Sequence, residues 1–573
     1  MKIYKLFSLA CAALMMSACA SDNDENGGTK PGSDPQYLAV NIVNVGATPT
    51  RADDYENGTT AENTIKKVRF YFFNGDGSPY LIKNPGVTGV TGGETINWLE
   101  ASPEDDTSTP GAPSHVEKIT QAVLVINGVQ DAAPAAIVAV VNPETVDATT
   151  LKNGGTMRLS ELRNSAVGKI FYKKDESTGA VSDFVMSNSV YVNGGEDVCA
   201  SLVAGHVTTS AETAKAKPVD LYVERVVAKV TTDFDNTAFE QGDGTKWDVN
   251  KYGTKNAVGK SGDYDVYAVI EGWGLADENG KAEIEKQVLK SWTDGNLGID
   301  TWTTYDYHRC FWEKSVAFDA GTGGSGNQPV NHTFNQLTAK NKDVLYTLPN
   351  TPEAKVTNLN NNYLTKLIVA ATLRYKDATG SWHNADICRY NGVQILGIDN
   401  LKKQVAKTFS QYYTSTDATN YTQLSASDID FKDPDGTMKQ YNVTPTLAAD
   451  PAGTTKKYYT KTAGTTYSFT EVNKNVVLTA IEADKAEIRT DGKAYYYVPI
   501  KHLGKTGEPG EYGIVRNHFY KITLSGIKGF GTPVYNPETV IDPDVPTYDN
   551  TYLAARVQVL QWRVVNQNAS LGK

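Results

Sequence analysis

The feature that most narrows the possible folds is a succession of short apolar runs, each of strand length and most closed by a turn signal. Val68–Phe73 ends at Asn74-Gly75-Asp76-Gly77; Val123–Ile126 and Ala136–Val141 follow, the latter stopped by Asn142-Pro143. Further runs lie at Leu221–Val230, Asp265–Ile270, Leu367–Leu373, Ala494–Ile500 and Phe519–Leu524. Runs this short suit covered strands bounded by Gly, Asn, Asp or Pro better than helices of several turns. Helical windows are few, and Ala282–Leu289 is the best of them. The pattern predicts an all-β chain of β-sandwiches, and 32 tyrosines against 6 methionines suit its half-buried pleated surfaces. At 573 residues there is room for two or three domains. A change of composition at Asp233–Asn236 marks a boundary, and the larger C-terminal part carries polar, Tyr-rich insertions between residues 400 and 490.

The first residues predict export. Lys2 and Lys5 precede the apolar run Leu6–Met16, which is the length of a signal h-region and too short to span a bilayer as a helix. It ends at Met16-Ser17-Ala18-Cys19, a pattern that resembles a lipobox, with Cys19 as the lipidated N-terminus; an ordinary signal peptide with an incidental cysteine is the alternative. The acidic Ser21–Glu25 run resembles a surface-export tag, and the polar stretch to Pro35 reads as a tether.

Chemistry is sparse. Seven histidines show no metal-ligand spacing, and no GxSxG elbow or CxxC occurs, so neither a catalytic site, a cofactor nor a metal is expected. Gly253–Ser261 has five residues between its glycines where a phosphate loop needs four, and reads as a hairpin loop. Asp428, Asp430, Asp433 and Asp435 read as a solvated turn rather than a calcium loop. A net charge of −11 argues against nucleic acid. With Cys11 in the signal and Cys19 at the anchor, the remaining Cys199, Cys310 and Cys388 form no disulfide framework. The cluster Trp302, Tyr305, Tyr307, Phe311 and Trp312 suits core packing or, alternatively, a glycan. Arg225 and Lys229 fall on one strand face and are expected to be solvated.

The two ends of the mature chain say more. Leu38, Val40 and Ile42 alternate, the phase slips by one, and Val43 and Val45 continue. Leu553, Ala555, Val557 and Val559 alternate, the phase again slips, and Leu560, Trp562 and Val564 carry on. A slip predicts a bulge or a break. The two segments thus look like alternative occupants of one groove, although Trp562 also suits the core of its own domain. Between the first segment and the body lies the polar loop Gly46–Asp54, in which Arg51 is a plausible site for an arginine-specific protease, or simply an exposed arginine. Cleavage between Arg51 and Ala52 would free the first strand and leave an open sheet edge. The stretch Asp542–Pro546 is a stiff linker expected to hold the last segment away from its own domain.

These features together resemble the Bacteroidales major fimbrial subunit family, the type V pili, and most of all the shaft subunit of the short fimbria. The resemblance rests on the Cys19 lipobox, Thr50-Arg51-Ala52, Val138–Pro143, Val223–Val230, Leu348–Thr351, Val515–Ile522 and Val557–Val564, in that order. Gln561 departs from it, standing near where a proline is expected between two donor half-strands. The resemblance implies two β-sandwich domains of transthyretin-like Greek-key topology. It also implies export as an outer-membrane lipoprotein, removal of the first strand by proteolysis after an arginine, and polymerisation by donor-strand exchange into a surface fimbria that supports adhesion and biofilm formation. The expected partition is signal peptide 1–18, lipidated propeptide with the first strand 19–51, N-terminal sandwich 52–232, C-terminal sandwich 233–545, and linker with donor strand 546–573. Expected partners are other copies of the chain in a filament, anchor and tip subunits, the protease, and the outer membrane before cleavage. A glycan-binding surface lipoprotein, a pilus anchor or tip subunit, and a hydrolase are the rival readings.

Overall fold

The computed structural model describes residues 36–45, 58–83, 95–105, 116–126, 128–129, 132–146, 151, 155–168, 171–193, 196–289, 310–319, 327–359, 364–432, 442–462, 467–540, 552–561 and 566–568. Strands dominate, as the sequence predicts, and the chain is all-β with a few short helices.

The apolar runs of the N-terminal part assemble into one large sheet. Its main strands are β1 (Gln36–Val45), β2 (Val68–Phe73), β3 (Trp98–Ala101), β4 (Glu104–Asp105), β5 (Val116–Ile126), β6 (Ala136–Val141), β7 (Met186–Asn188) and β8 (Val219–Arg225), with Ser201–Leu202 paired to the start of β6. Their order is β3-β2-β6-β7-β8-β1-β5-β4. Continuous apolar sequence signals burial on both faces. Every residue of β2 and β6 is accordingly buried.

The run Leu221–Val230 is not one strand. The chain leaves the first sheet after Arg225 and enters a second at β9 (Ala228–Phe234), so the sheets change at Val226-Val227. In that second sheet β9 lies between β11 (Val344–Thr347) and β14 (His518–Lys528), and β15 (Tyr552–Gln561) and β16 (Asn566–Asn568) extend it. A third sheet is centred on β10 (Tyr264–Ala276), β12 (Lys366–Lys376) and β13 (Lys493–Pro499). One apolar core runs through all three sheets, from Leu38 and Phe70 to Trp273, Val369 and Ile522.

The Tyr-rich insertion folds around a core of its own, built from Cys388, Leu401, Val405, Ile429, Val477 and Ile481. It contains two helices that the sequence analysis passed over, α1 (Ile398–Thr408) and α2 (Lys474–Ala483). Their signals are short i, i+4 pairs, Leu401 with Val405 and Val477 with Ile481, all fully buried. The expected helix at Ala282–Leu289 does not form. Lys281–Glu283 is a strand paired with Ala166–Gly168, and the residues after it are irregular. The Ile284 carbonyl accepts from Ser187 Oγ at 2.6 Å and Arg516 Nη1 at 2.7 Å, so distant side chains claim an acceptor that a helix would use internally.

Other expectations fare variously. Gly259–Ser261 pairs with Tyr264–Val266 as a hairpin. Asp428 is buried in an ion pair with Lys456 at 2.6 Å, while Asp433 and Asp435 lie outside the described residues. Phe311 and Trp312 are core residues, and Trp302, Tyr305 and Tyr307 are not described. Cys199, Cys310 and Cys388 are buried and unbridged.

Candidate functional site

β1 is the element on which the functional reading turns. Its alternation directs Leu38, Val40 and Ile42 to full burial, and Ala39 is fully buried as well. A short helix, Ala211–Ala216, lies against the strand. Along one edge β1 pairs antiparallel with β5, from Gln36 opposite Ile126 to Val45 opposite Val116. Along the other it runs parallel to β8, from Val40 opposite Val219 to Asn44 opposite Val223. Ahead of that pairing, Tyr37 and Thr208 exchange main-chain hydrogen bonds of 2.7 and 2.9 Å. β1 is therefore an interior strand, and taking it out would leave β5 and β8 with facing unpaired edges and three large apolar pockets.

The expected bulge between Ile42 and Val43 is absent; the register with β5 is continuous through Asn44 and shifts only before Val45. The reason is double pairing: hydrogen bonds along both edges hold the ladder straight where the apolar phase changes. The side chains of Val43 and Val45 lie outside the described residues, as do Cys19, Arg51 and Ala52.

The C-terminal segment does not stand away from its domain. β15 pairs antiparallel with β14 from Tyr552 opposite Lys528 to Gln561 opposite His518. The shift in this ladder falls between Leu524 and Gly526 rather than at Val559-Leu560. Its place in the fold is nonetheless different from that of β1. Strand β9 repeats the arrangement of β1: it runs parallel to β14, the strand that ends its own run, and antiparallel to β11. β15 lies outside that repeated unit, and among the described residues its outer edge pairs with β16, at Arg556–Gln558. Val557, Val559 and Leu560 are within β15, their side chains not described, and Trp562 and Val564 lie outside the described residues.

The motifs that carry the family resemblance converge on the junction between the first two sheets. Arg225 and Lys229, expected on a solvated face, are buried. Arg225 donates to the Glu62 carbonyl at 2.9 Å and to Asn517 Oδ1 at 3.0 Å, and Lys229 pairs with Glu62 at 2.9 Å. Glu224 pairs with Lys286 at 2.7 Å with both side chains fully buried, and Lys286 also donates to the Cys310 carbonyl at 2.7 Å. Arg516 grips Glu313 at 2.6 Å and the carbonyls of Ile284 and Glu283 at 2.7 Å. Asn517, at φ 54°, takes a left-handed turn and donates its N–H to the Val227 carbonyl at 2.8 Å. Buried charges persist only when each is paired and hydrogen-bonded. The network anchors β8, one wall of the β1 groove, independently of β1. Beside it, burial pushes the Glu285 carboxyl up to about 8 and the Glu283 carboxyl up to about 7. Among the described residues no group of three or more His, Cys, Asp or Glu side chains could hold a metal ion.

Residues 489–568, from the end of the insertion through β16, match the family model described as major fimbrial subunit protein type IV, fimbrillin, C-terminal. No curated protein matches the chain significantly. Among solved structures, the chain is similar to a fimbrilin from Porphyromonas gingivalis W83, with 13% identity over 93% of this chain and 98% of that one and a TM-score of 0.35. It is also similar to a putative cell adhesion protein from Parabacteroides distasonis, with 11% identity over 95% and 99% and a TM-score of 0.34. A third is the tip fimbrial protein Mfa3 of Porphyromonas gingivalis, with 10% identity over 92% and 99% and a TM-score of 0.26. The matched region 489–568 holds Arg516, Asn517, β14 and β15, and the chain resembles the fimbrial subunit family that its motifs announced.

Proposed function

We propose that the chain is the structural shaft subunit of a cell-surface fimbria rather than an enzyme. It is exported as a precursor lipidated at Cys19, cut between Arg51 and Ala52, and polymerised by donor-strand exchange. The observation that carries the reading is the inequality between the two terminal strands. β1 is interior, paired along both edges and buried through Leu38, Val40 and Ile42, whereas β15 adds to the outside of a repeated unit. Cleavage at Arg51 separates β1 covalently from the body, and a neighbour's Val557, Val559, Leu560, Trp562 and Val564 then occupy the vacated pockets. Main-chain hydrogen bonds supply general affinity, and the pockets set register. Before cleavage the tethered β1 outcompetes any free strand through its effective concentration. Partners are other copies of the chain, anchor and tip subunits, an arginine-specific protease, and the outer membrane through the lipid.

The test is the intact mass and N-terminal sequence of the protein sheared from its native cells. A lipid-free chain beginning at Ala52 in high-mass assemblies is the expected result. A lipidated monomer beginning at Cys19 overturns the shaft reading.

A further inference from the structure

β10 ends at Ala276, and the residue after it, Asp277, meets three other segments of the chain. Lys366, the first residue of β12, lies opposite Ala276, and its Nζ donates to Asp277 Oδ2 at 2.5 Å with both side chains fully buried. On the other flank Val330 and Glu278 exchange main-chain hydrogen bonds of 2.9 and 3.2 Å, which brings Asn331 alongside. Asn331 Nδ2 donates to Asp277 Oδ1 at 3.1 Å, and Asn331 Oδ1 accepts the Asp277 backbone N–H at 2.8 Å. The Asp277 carbonyl is fixed in turn by Asn350 Nδ2 and Thr365 Oγ1, each at 3.1 Å. One carboxylate thus carries a primary amine on one oxygen and a carboxamide on the other. The neighbouring Ala276 belongs to an apolar cluster with Phe334, Leu337 and Ile368.

We propose that Lys366 and Asn331 become joined by an amide bond between their side chains, with Asp277 as the group that moves the protons. Passage of one proton along the Lys366–Asp277 hydrogen bond turns two buried charges into a neutral amine and a neutral acid, the forms a dry site favours. The amine lone pair attacks Asn331 Cγ, and the Asp277 backbone N–H stands where negative charge develops on Asn331 Oδ1. Asp277 gives its proton to Asn331 Nδ2 and takes one from the Lys366 nitrogen. The Cγ–Nδ2 bond breaks and ammonia leaves, so the Nζ–Cγ bond forms without an oxidant, a reductant or any other co-reactant. Holding amine, acid and carboxamide on one carboxylate makes every step intramolecular. A simple ion pair needs neither a carboxamide on its second oxygen nor a donor on that carboxamide's oxygen, and here Asn331 and Asp277 supply both. The bond fastens the start of β12 to the segment flanking β10, and it stands independently of the fimbrial reading.

The test is mass spectrometry of the full chain, denatured and then digested with trypsin, which does not cut after an acylated lysine. The expected product is the peptide of residues 315–340 joined to an uncut 356–374, lighter than the two together by one ammonia. Asn331→Ala and, separately, Asp277→Ala should each lose the joined product and restore cleavage after Lys366, with folding checked by circular dichroism. A parent chain cut after Lys366 and free of joined peptides overturns the proposal. So does a joined product lighter by one water, which places the bond on the Asp277 carboxyl itself. A folded Asp277→Ala chain that forms the bond as fully as the parent also overturns it, as does an Asn331→Ala chain in which Lys366 stays acylated.

Discussion

Replacing Ile42 by alanine separates the two lives of the β1 groove. Ile42 is fully buried, and its strand is held on both sides, so the site cannot collapse around a missing side chain without disturbing β5 and β8. Truncation of a buried isoleucine costs about 2–5 kcal/mol when the surroundings relax only partly. The three described anchors, Leu38, Val40 and Ile42, together contribute roughly 5–9 kcal/mol of burial, so this is a large fraction of what holds β1. Expressed as an equilibrium, about 2–5 kcal/mol multiplies the population with an open groove by roughly 30- to 4,000-fold. The effect belongs to the precursor alone, because β1 is absent from a chain that begins at Ala52. Two measurements therefore bracket the claim. Urea unfolding and amide exchange on the uncleaved chain should report the loss, with faster exchange along Val116–Ile126 and Val219–Arg225. Filaments grown from the mature chain should dissociate in detergent at the same temperature with or without Ile42→Ala in the precursor. Equal weakening of precursor and filament, or an unchanged precursor, refutes the assignment of β1 as a removable plug.

Other expectations follow from particular groups. Arg51→Ala should leave the chain lipidated, uncleaved and monomeric on native cells, as read by mass and gel filtration; polymer formation by this variant removes Arg51 from the mechanism. Trp562→Ala should weaken the subunit joint by about 3–5 kcal/mol, the scale for a buried aromatic, and filaments of unchanged detergent resistance count against that ring as an anchor. Glu285 has its folded pKa raised from 4.5 to about 8 by burial, so the fold favours the neutral acid. Its contribution is fully present below pH 4.5 and is lost as pH rises through 8, amounting to a few kcal/mol by linkage. Glu285→Gln should remove that part of the slope between pH 5 and 8 in urea titrations, and a slope identical to the parent's disproves the assignment. Lys286→Met should cost about 3–5 kcal/mol by leaving Glu224 buried and uncompensated, and adding Glu224→Met should restore most of it; a double variant as unstable as the single one contradicts this account.

Much of the architecture was written in local chemistry. The run Ala136–Val141 specifies a strand buried on both faces because nothing in it tolerates water, and Asn142-Pro143 ends it wherever it is placed; Val68–Phe73 is as fully buried only because Arg69 is paired with Glu100 at 2.6 Å. The alternation of Leu38, Val40 and Ile42 likewise identifies the buried set of β1 before any partner is known, since period two is a property of the strand itself. Leu401–Val405 and Val477–Ile481 were legible in principle, but one i, i+4 pair on a short polar helix is a weak signal beside the strands around it.

What no local pattern contains is pairing. That β1 runs parallel to β8 and lies inside the sheet, while β15 adds outside the β9–β14 unit, depends on strands about 180 residues and 30 residues away respectively. The burial of Arg225 and Lys229 is decided the same way. Their spacing reads as a solvated face, and the approach of Glu62, Asn63 and Asn517 supplies the partners that make burial tolerable. The change of sheet at Val226-Val227 turns one apolar run into two strands for the same reason. Sequence by itself therefore determined which segments become strands and which of their faces shun water, because those follow from side-chain hydration along a single period. Tertiary structure alone decided which strand is interior and which is peripheral, because hydrogen-bond edges and buried counter-charges exist only once distant segments meet.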